Sequence, residues 1–192
     1  VVKANFIFLI IMVLAVIGQA NVSLIYNGSF EYGDRNISDA NEIPPYRWFD
    51  VDGADGRLST AVLDQWSTHD QHSLRMTTAG FYDFTAGENL VVSQEVNFQG
   101  ASELIFDVAF SENWDPAYRA ATILLEDQVI WDSNSLDHAD QNDIYRNQSF
   151  DIPADFNDAN TYTLSLRMQV NETEFTTEIY TVEWDFFRLD RH

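Results

Sequence analysis

The sequence contains no cysteine, so its fold relies on core packing, with or without a metal, and not on disulfide bonds. Basic residues are also scarce: 10 Lys and Arg stand against 31 Asp and Glu, for a formal net charge of −21. Phosphate binding requires a basic surface, so this balance argues against nucleic acid as a partner, and against an anionic membrane surface for the same reason. Acidic surfaces instead suit solubility and divalent cations.

Only one apolar run is long, from Phe6 to Ile17, and it lies between Lys3 and a small-residue segment that ends at Ala20. This layout is typical of a secretory signal peptide, and about 12 residues are too few for a membrane span. We therefore divide the chain into a signal segment, 1–20, and one domain, 21–192, and expect a secreted or cell-surface protein. The alternative is a retained apolar helix, which would contact a membrane or neighbouring copies as in type IV pilin-like filament subunits.

The rest of the chain has the pattern of short strands separated by turns. Residues Glu103–Phe110 and Thr161–Val170 alternate between apolar and polar side chains, and a hairpin is predicted within 120–132. Residues 32–60 and 133–149 are polar and predicted as loops. Eight or nine strands without an amphipathic helix predict an all-β sandwich, most naturally a jelly roll of two antiparallel sheets.

Three short strings carry a resemblance to a known group of domains. They are N-G-S-F-E at 27–31, which ends a predicted first strand, S-Q-E-V at 93–96, and E-W-D-F-F-R-L at 183–189 in the predicted last strand. The chain resembles carbohydrate-binding modules of the galactose-binding-like jelly-roll type, the group of families 4, 9 and 22, which open with N-G-x-F-E and close with D-D-V-x-L. The resemblance covers about residues 22–190.

The resemblance also implies a metal site. In that group a Glu and an Asp from the end strings meet at a structural calcium, which implies Glu31 and Asp185 as ligands, with the Ser29 carbonyl as a third. Phe186 departs from the pattern, because the group has a second Asp there. The alternative interpretation is that Glu31 and Asp185 are two unrelated surface acids.

Sugar recognition by such modules uses aromatic rings and neighbouring polar side chains. The richest cluster is 111–119, and we assign carbohydrate binding to Trp114, Tyr118 and Arg119, with Trp66 as a further candidate; each aromatic could equally belong to the core. Trp48 matches a Trp of the group and is predicted to be buried. The expected ligand is a polysaccharide or glycoconjugate, bound on behalf of a neighbouring enzyme domain.

No catalytic motif stands out, so we expect a non-enzymatic module. The alternative is a structural subunit of a cell-surface filament or layer, and a hydrolase with an unrecognised carboxylate pair is a third option. His69 and His72 have a spacing that could hold a metal on a helix, but no helix is predicted there. N-x-S/T sequons predict glycosylation at four sites, besides a fifth sequon in the opening string: Asn21, Asn36, Asn147 and Asn171.

Overall fold

A computed structural model of the protein describes residues 25–26, 28–31, 48–52, 56–64, 66–136 and 144–191. The predicted signal segment or retained helix, 1–20, and the sequons at Asn21 and Asn36 lie outside these ranges. Across the part of the chain that is described, none of the helices combines the length and apolar character needed to cross a membrane.

Two five-stranded antiparallel sheets and a two-stranded ribbon make up the described fold. Sheet 1 contains, in spatial order, β1 (Phe49–Asp52), β5 (Asn89–Val96), β10 (Tyr162–Val170), β7 (Arg119–Leu125) and β8 (Gln128–Asp132). Sheet 2 contains β2 (Leu58–Leu63), β3 (Ser73–Thr78), β12 (Thr181–Asp190), β6 (Glu103–Phe110) and β9 (Ile144–Asp151). The ribbon pairs β4 (Tyr82–Phe84) with β11 (Glu174–Thr176). Two 3₁₀ turns occupy Ser133–Ser135 and Ala154–Phe156.

The predicted fold class is confirmed, because the chain crosses repeatedly between two antiparallel sheets that share one core, as in a jelly roll. The core is built by alternation. In β6 the side chains of Leu104, Phe106, Val108 and Phe110 all join it, as the sequence pattern predicts. Trp48 is fully buried there, so its prediction as a core residue is also confirmed.

Some predicted boundaries are wrong. Strand β9 lies largely within the region predicted as a loop, 133–149, because most of its side chains at this sheet edge are exposed or half-buried and carry little alternation. Strand β1 lies within the predicted loop 32–60. The ribbon strands have three residues each, which is too short for a periodic signal.

The opening string is also not a strand where it is described. Residues 28–31 form a turn in which Phe30 has a φ of 57°, in the left-handed region, and therefore cannot continue an extended chain. Phe30 is nevertheless fully buried, and its ring lies 5.6 Å from that of Trp48. The string therefore contributes a core residue and positions Glu31. Its described residues, 28–31, join the last strand through a hydrogen bond from the Phe187 amide to the Gly28 carbonyl and not as a paired strand.

Candidate functional site

A groove of about 410 Å³ lies on the outer face of sheet 2. It exists because alternation in β3 and β12 sends Leu74 and Trp184 into the core and leaves Arg75 and Glu183 on the opposite face. Its lining combines one indole, a charged pair, hydroxyls and small apolar groups: Trp66, Arg75, Ala109, Phe110, Ser111, Ile144, Thr181 and Glu183.

The polar centre of the groove is the pair Arg75 and Glu183, which are directly opposite each other in β3 and β12. The Arg75 Nε donates a hydrogen bond of 2.6 Å to Glu183 Oε1, and its Nη2 contacts the same oxygen. The Glu183 side chain is 10% exposed and that of Arg75 26%. Two residues along each strand, the hydroxyls of Thr77 and Thr181 lie 3.1 Å apart. The groove floor thus offers fixed donors and acceptors with their charges balanced.

Trp66 is the member of the predicted sugar-binding set that lines this groove. It is half-buried and begins the connection that leads from β2 to β3, whose residues 66–72 we call the Trp66 loop. It lines the same groove as Arg75, and part of its side chain is accessible there. Sugar binding by Trp66 remains a prediction.

Two of the other predicted sugar-binding residues lie inside the fold, so the structure gives them a different role. Trp114 is 9% exposed, and its ring centroid lies 4.8 Å from that of Phe110 in the core. Arg119 is fully buried, and its Nη1 lies 2.7 Å from Oε1 of Glu174.

The rings of Phe84 and Tyr180 enclose the Arg119 guanidinium, at 4.9 and 4.5 Å from their centroids. Tyr118 is half-buried, and its carbonyl accepts hydrogen bonds from Arg119 Nη1 and the Asn171 amide. Arg119, the first residue of β7, therefore ties the ribbon to the sandwich. These contacts could not be predicted from the local sequence, because Glu174 and Tyr180 are far from Arg119 along the chain.

The two residues that the resemblance assigns to calcium both contact the Trp66 loop. Oε1 of Glu31 accepts hydrogen bonds from the backbone amides of Gln71, at 2.9 Å, and His72, at 2.7 Å. Its Oε2 lies 3.0 Å from His72 Nδ1. His72 therefore contacts a carboxylate, while His69 stacks its ring 4.5 Å from that of Phe186.

Asp185 is bonded in the same way and is fully buried. Its Oδ2 accepts hydrogen bonds from the amides of Thr68, at 2.7 Å, and His69, at 2.8 Å, and from the Thr68 hydroxyl, at 3.1 Å. Its Oδ1 accepts from the amide of Phe186 at 2.6 Å. Every oxygen of the two carboxylates thus has a hydrogen-bonding partner.

This arrangement does not fit a calcium ion at the pair. Calcium requires six to eight oxygen ligands, whereas N–H and O–H groups surround the carboxylate oxygens of Glu31 and Asp185. Within the described ranges, no group of three or more Asp, Glu, His or Cys side chains could hold a metal. Ser29 lies in the same turn as Glu31. Calcium at these residues remains a prediction without support from their geometry.

The pKa values of the two acids are shifted in opposite directions. Burial acts to raise the pKa of Glu31, but the side chain and amide of His72 and the amide of Gln71 bring it below its ordinary value of 4.5. Burial raises the pKa of Asp185 above its ordinary value of 3.8, against the opposing effect of the His69, Thr68 and Phe186 amides. Desolvation therefore dominates at Asp185 and hydrogen bonding at Glu31.

The two described sequons differ in their surroundings. Asn147 is exposed on β9, where its φ of 50° and the 2.6 Å bond from its amide to Asp107 Oδ1 form a bulge. At Asn171 the side-chain nitrogen, which would carry a glycan, donates a 2.9 Å hydrogen bond to the Pro116 carbonyl. Glycosylation remains a prediction at both, and Asn147 is the more accessible acceptor.

No protein-family model matches the chain, and no curated protein matches it in sequence. Its structure is similar to a cyclase from Fischerella sp. in the apo form, with 14% identity and a TM-score of 0.52 over 87% of this chain and 94% of that one. A cyclase from Fischerella sp. TAU in complex with 4-(1H-indol-3-yl)butan-2-one gives 12% identity and a TM-score of 0.52, over 89% and 98%.

The structural neighbours also include carbohydrate-binding modules. One is CBM27-1 of Caldicellulosiruptor saccharolyticus in complex with mannohexaose, with 13% identity and a TM-score of 0.48 over 66% of this chain and 80% of that one. The described part of the chain is a jelly-roll β-sandwich, and the neighbours above show a likeness of fold alone. Cyclases share this fold, so function has to be argued from the groove.

Proposed function

We propose that the protein is a secreted, non-catalytic carbohydrate-binding module that binds a polysaccharide or glycoconjugate in the groove of sheet 2. The observation that supports this proposal is that Trp66 and the Arg75–Glu183 pair line the same groove. A sugar ring has an apolar face that stacks on an indole and hydroxyls that both donate and accept hydrogen bonds. The groove offers these two kinds of surface next to each other.

The electrostatics favour an uncharged glycan. Among the described residues that line the groove, Arg75 is the single basic one, and it is neutralised by Glu183 and not free to pair with a sugar carboxylate. The chain as a whole has a formal charge of −21, which repels polyanionic chains. Neutral hydroxyls, by contrast, can bond to the guanidinium, to the carboxylate and to the hydroxyls of Ser111 and Thr181.

The groove also supports binding without hydrolysis. Glycosidases cleave with two carboxyl groups on either side of the scissile bond. Among the described residues that line the groove, Glu183 is the single carboxylate, and its Oε1 is engaged by Arg75. Secretion rests on the apolar pattern of residues 1–20.

A glycan screen followed by calorimetry tests this proposal. The protein is expected to bind at least one neutral polysaccharide, and Trp66→Ala is expected to weaken that binding by about tenfold or more, equivalent to about 1.4 kcal/mol. Phe175→Ala is the control, because Phe175 is 62% exposed on β11 and does not line the groove. An unchanged affinity in Trp66→Ala, or no glycan bound at all, would overturn the site, and release of cleaved sugar would overturn the non-catalytic assignment.

A further inference from the structure

We propose that Glu31 and Asp185 are positioning residues, which hold the Trp66 loop against the groove through direct hydrogen bonds to its backbone. In this arrangement the two carboxylates bind the loop directly, and the calcium ion that the resemblance implies is not required. The inference rests on the proposed function only where it links the loop to sugar binding.

Most backbone amides of the Trp66 loop donate hydrogen bonds to one of the two carboxylates. A segment without regular secondary structure must still satisfy its buried N–H groups. The amides of Thr68 and His69 are bonded to Asp185, and those of Gln71 and His72 to Glu31, at distances of 2.7 to 2.9 Å. Hydrogen bonds to an ionised acceptor are stronger than neutral ones. Four of the six amides that follow Trp66 therefore have a charged acceptor.

Both carboxylates are attached to strand β12. Asp185 belongs to β12, which lies at the centre of sheet 2, and its side chain is fully buried. Glu31 is tied to the same strand, because the Phe187 amide donates a 2.9 Å hydrogen bond to the Gly28 carbonyl. A side chain at Gly28 would overlap the Phe187 carbonyl oxygen, so this close approach requires glycine. Both acceptors are therefore held by the same central strand.

Phe186 departs from the pattern of the resembled modules, which have a second Asp at this position. A second Asp at this position would add a ligand for a cation. Here the Phe186 ring lies 4.5 Å from the His69 ring, so the side chain packs on the loop instead. The amide of Phe186 donates to Oδ1 of Asp185 and occupies the oxygen that faces away from the loop amides. The substitution thus removes a ligand and adds a contact that stabilises the same loop conformation.

Amide hydrogen exchange followed residue by residue by NMR tests the proposal without any sugar. Asp185→Asn is expected to speed exchange at Thr68 and His69 by about tenfold or more, and Glu31→Ala to do so at Gln71 and His72. Asp132→Asn is the matched control. Asp132 also accepts a backbone amide, from Asn134 at 2.9 Å, but on sheet 1. If Asp185→Asn does not fold, Glu31→Ala and the wild-type protein still decide the matter.

The metal arm uses the wild-type protein with added calcium and, separately, with EDTA. Exchange at the four amides and the melting temperature are expected to be the same in both. Faster exchange of all four amides in EDTA, or a melting temperature raised by calcium, would overturn the proposal and restore the metal. Unchanged exchange at Gln71 and His72 in Glu31→Ala would also overturn it.

Sugar binding is then measured as a separate readout. Glu31→Ala is expected to weaken glycan binding in the same direction as Trp66→Ala, while the core remains folded. If the exchange results are as expected but Trp66→Ala binds glycan normally, the positioning role is supported and the proposed function fails. The two hypotheses therefore fail on different measurements.

Discussion

Asp185 in β12 and Asp107 in β6 lie directly opposite each other in neighbouring antiparallel strands. Directly opposite residues project from the same face of a sheet, so two carboxylates share the outer face of sheet 2. Both are buried, at 0% and 5% exposure. Each is compensated by backbone donors: Asp107 accepts the Asn147 amide at 2.6 Å, and Asp185 accepts the amides of the Trp66 loop.

Removing one charge from this pair should stabilise the protein. Asp107→Asn keeps an oxygen for the Asn147 amide and removes like-charge repulsion, so the free energy of unfolding at pH 7 should rise by up to about 1 kcal/mol. Urea denaturation at pH 7 and pH 3 measures this. The gain should vanish at pH 3, because Asp185 is then protonated. A loss of stability, or an equal gain at both pH values, would contradict the prediction. The control Asp132→Asn should not show the pH-dependent gain in the free energy of unfolding.

Glu31 and Asp185 should affect stability in opposite directions as the pH changes. The pKa of Glu31 is lowered on folding, so its contribution is present above pH 4.5 and is lost as the pH falls through its folded pKa. The pKa of Asp185 is raised, so its contribution is full below pH 3.8 and is lost as the pH rises through its folded pKa. Carbon NMR titration of the two carboxyl groups checks the order. A Glu31 midpoint above 4.5, or an Asp185 midpoint below 3.8, would refute it.

The buried Arg119 should be essential for stability only while Glu174 is present. Arg119→Met leaves the Glu174 carboxylate, 13% exposed, without its 2.7 Å partner, and should cost about 3–5 kcal/mol. The double variant with Glu174→Leu should recover most of this loss, because no unpaired charge remains. Arg167→Ala provides a control, since its Nε donates to the neutral Thr122 hydroxyl, and should cost about 1 kcal/mol. Chemical denaturation distinguishes these outcomes, and a double variant as unstable as Arg119→Met would be evidence against the pairing.

The glycine of the opening string should tolerate no side chain. Gly28→Ala would place a methyl group against the Phe187 carbonyl oxygen and force the turn away from β12, at a cost of about 1–3 kcal/mol. The neighbouring Ser29→Ala adds no bulk and should be close to neutral. Thermal melts of both variants provide the measurement. Equal melting temperatures for Gly28→Ala and wild type would show that the turn is not held closely against β12.

The strands whose side chains alternate clearly between apolar and polar could be predicted from the sequence, as could the hairpin of β7 and β8, whereas the edge strands β1 and β9 and the ribbon strands could not. In β6 and β10 every second side chain is apolar and buried, so the local pattern carries the strand. The side chains of the outer strand β9 are all exposed or half-buried, so its sequence resembles that of a loop. The residues of the candidate site could likewise be predicted only in part. Trp66 was one of several plausible aromatics in the sequence, and only sheet order separated it from Trp114, which contacts the core.

The sequence by itself determined the fold class, most of the core and the acidic charge, because these depend on composition and on the two-residue period of side-chain direction. It also marked Glu31 and Asp185 as a pair through the resemblance of their strings. Only the tertiary structure decided what the pair contacts. Hydrogen bonds from the Trp66 loop depend on which strands are neighbours and in what register, and the local sequence does not encode those long-range relationships.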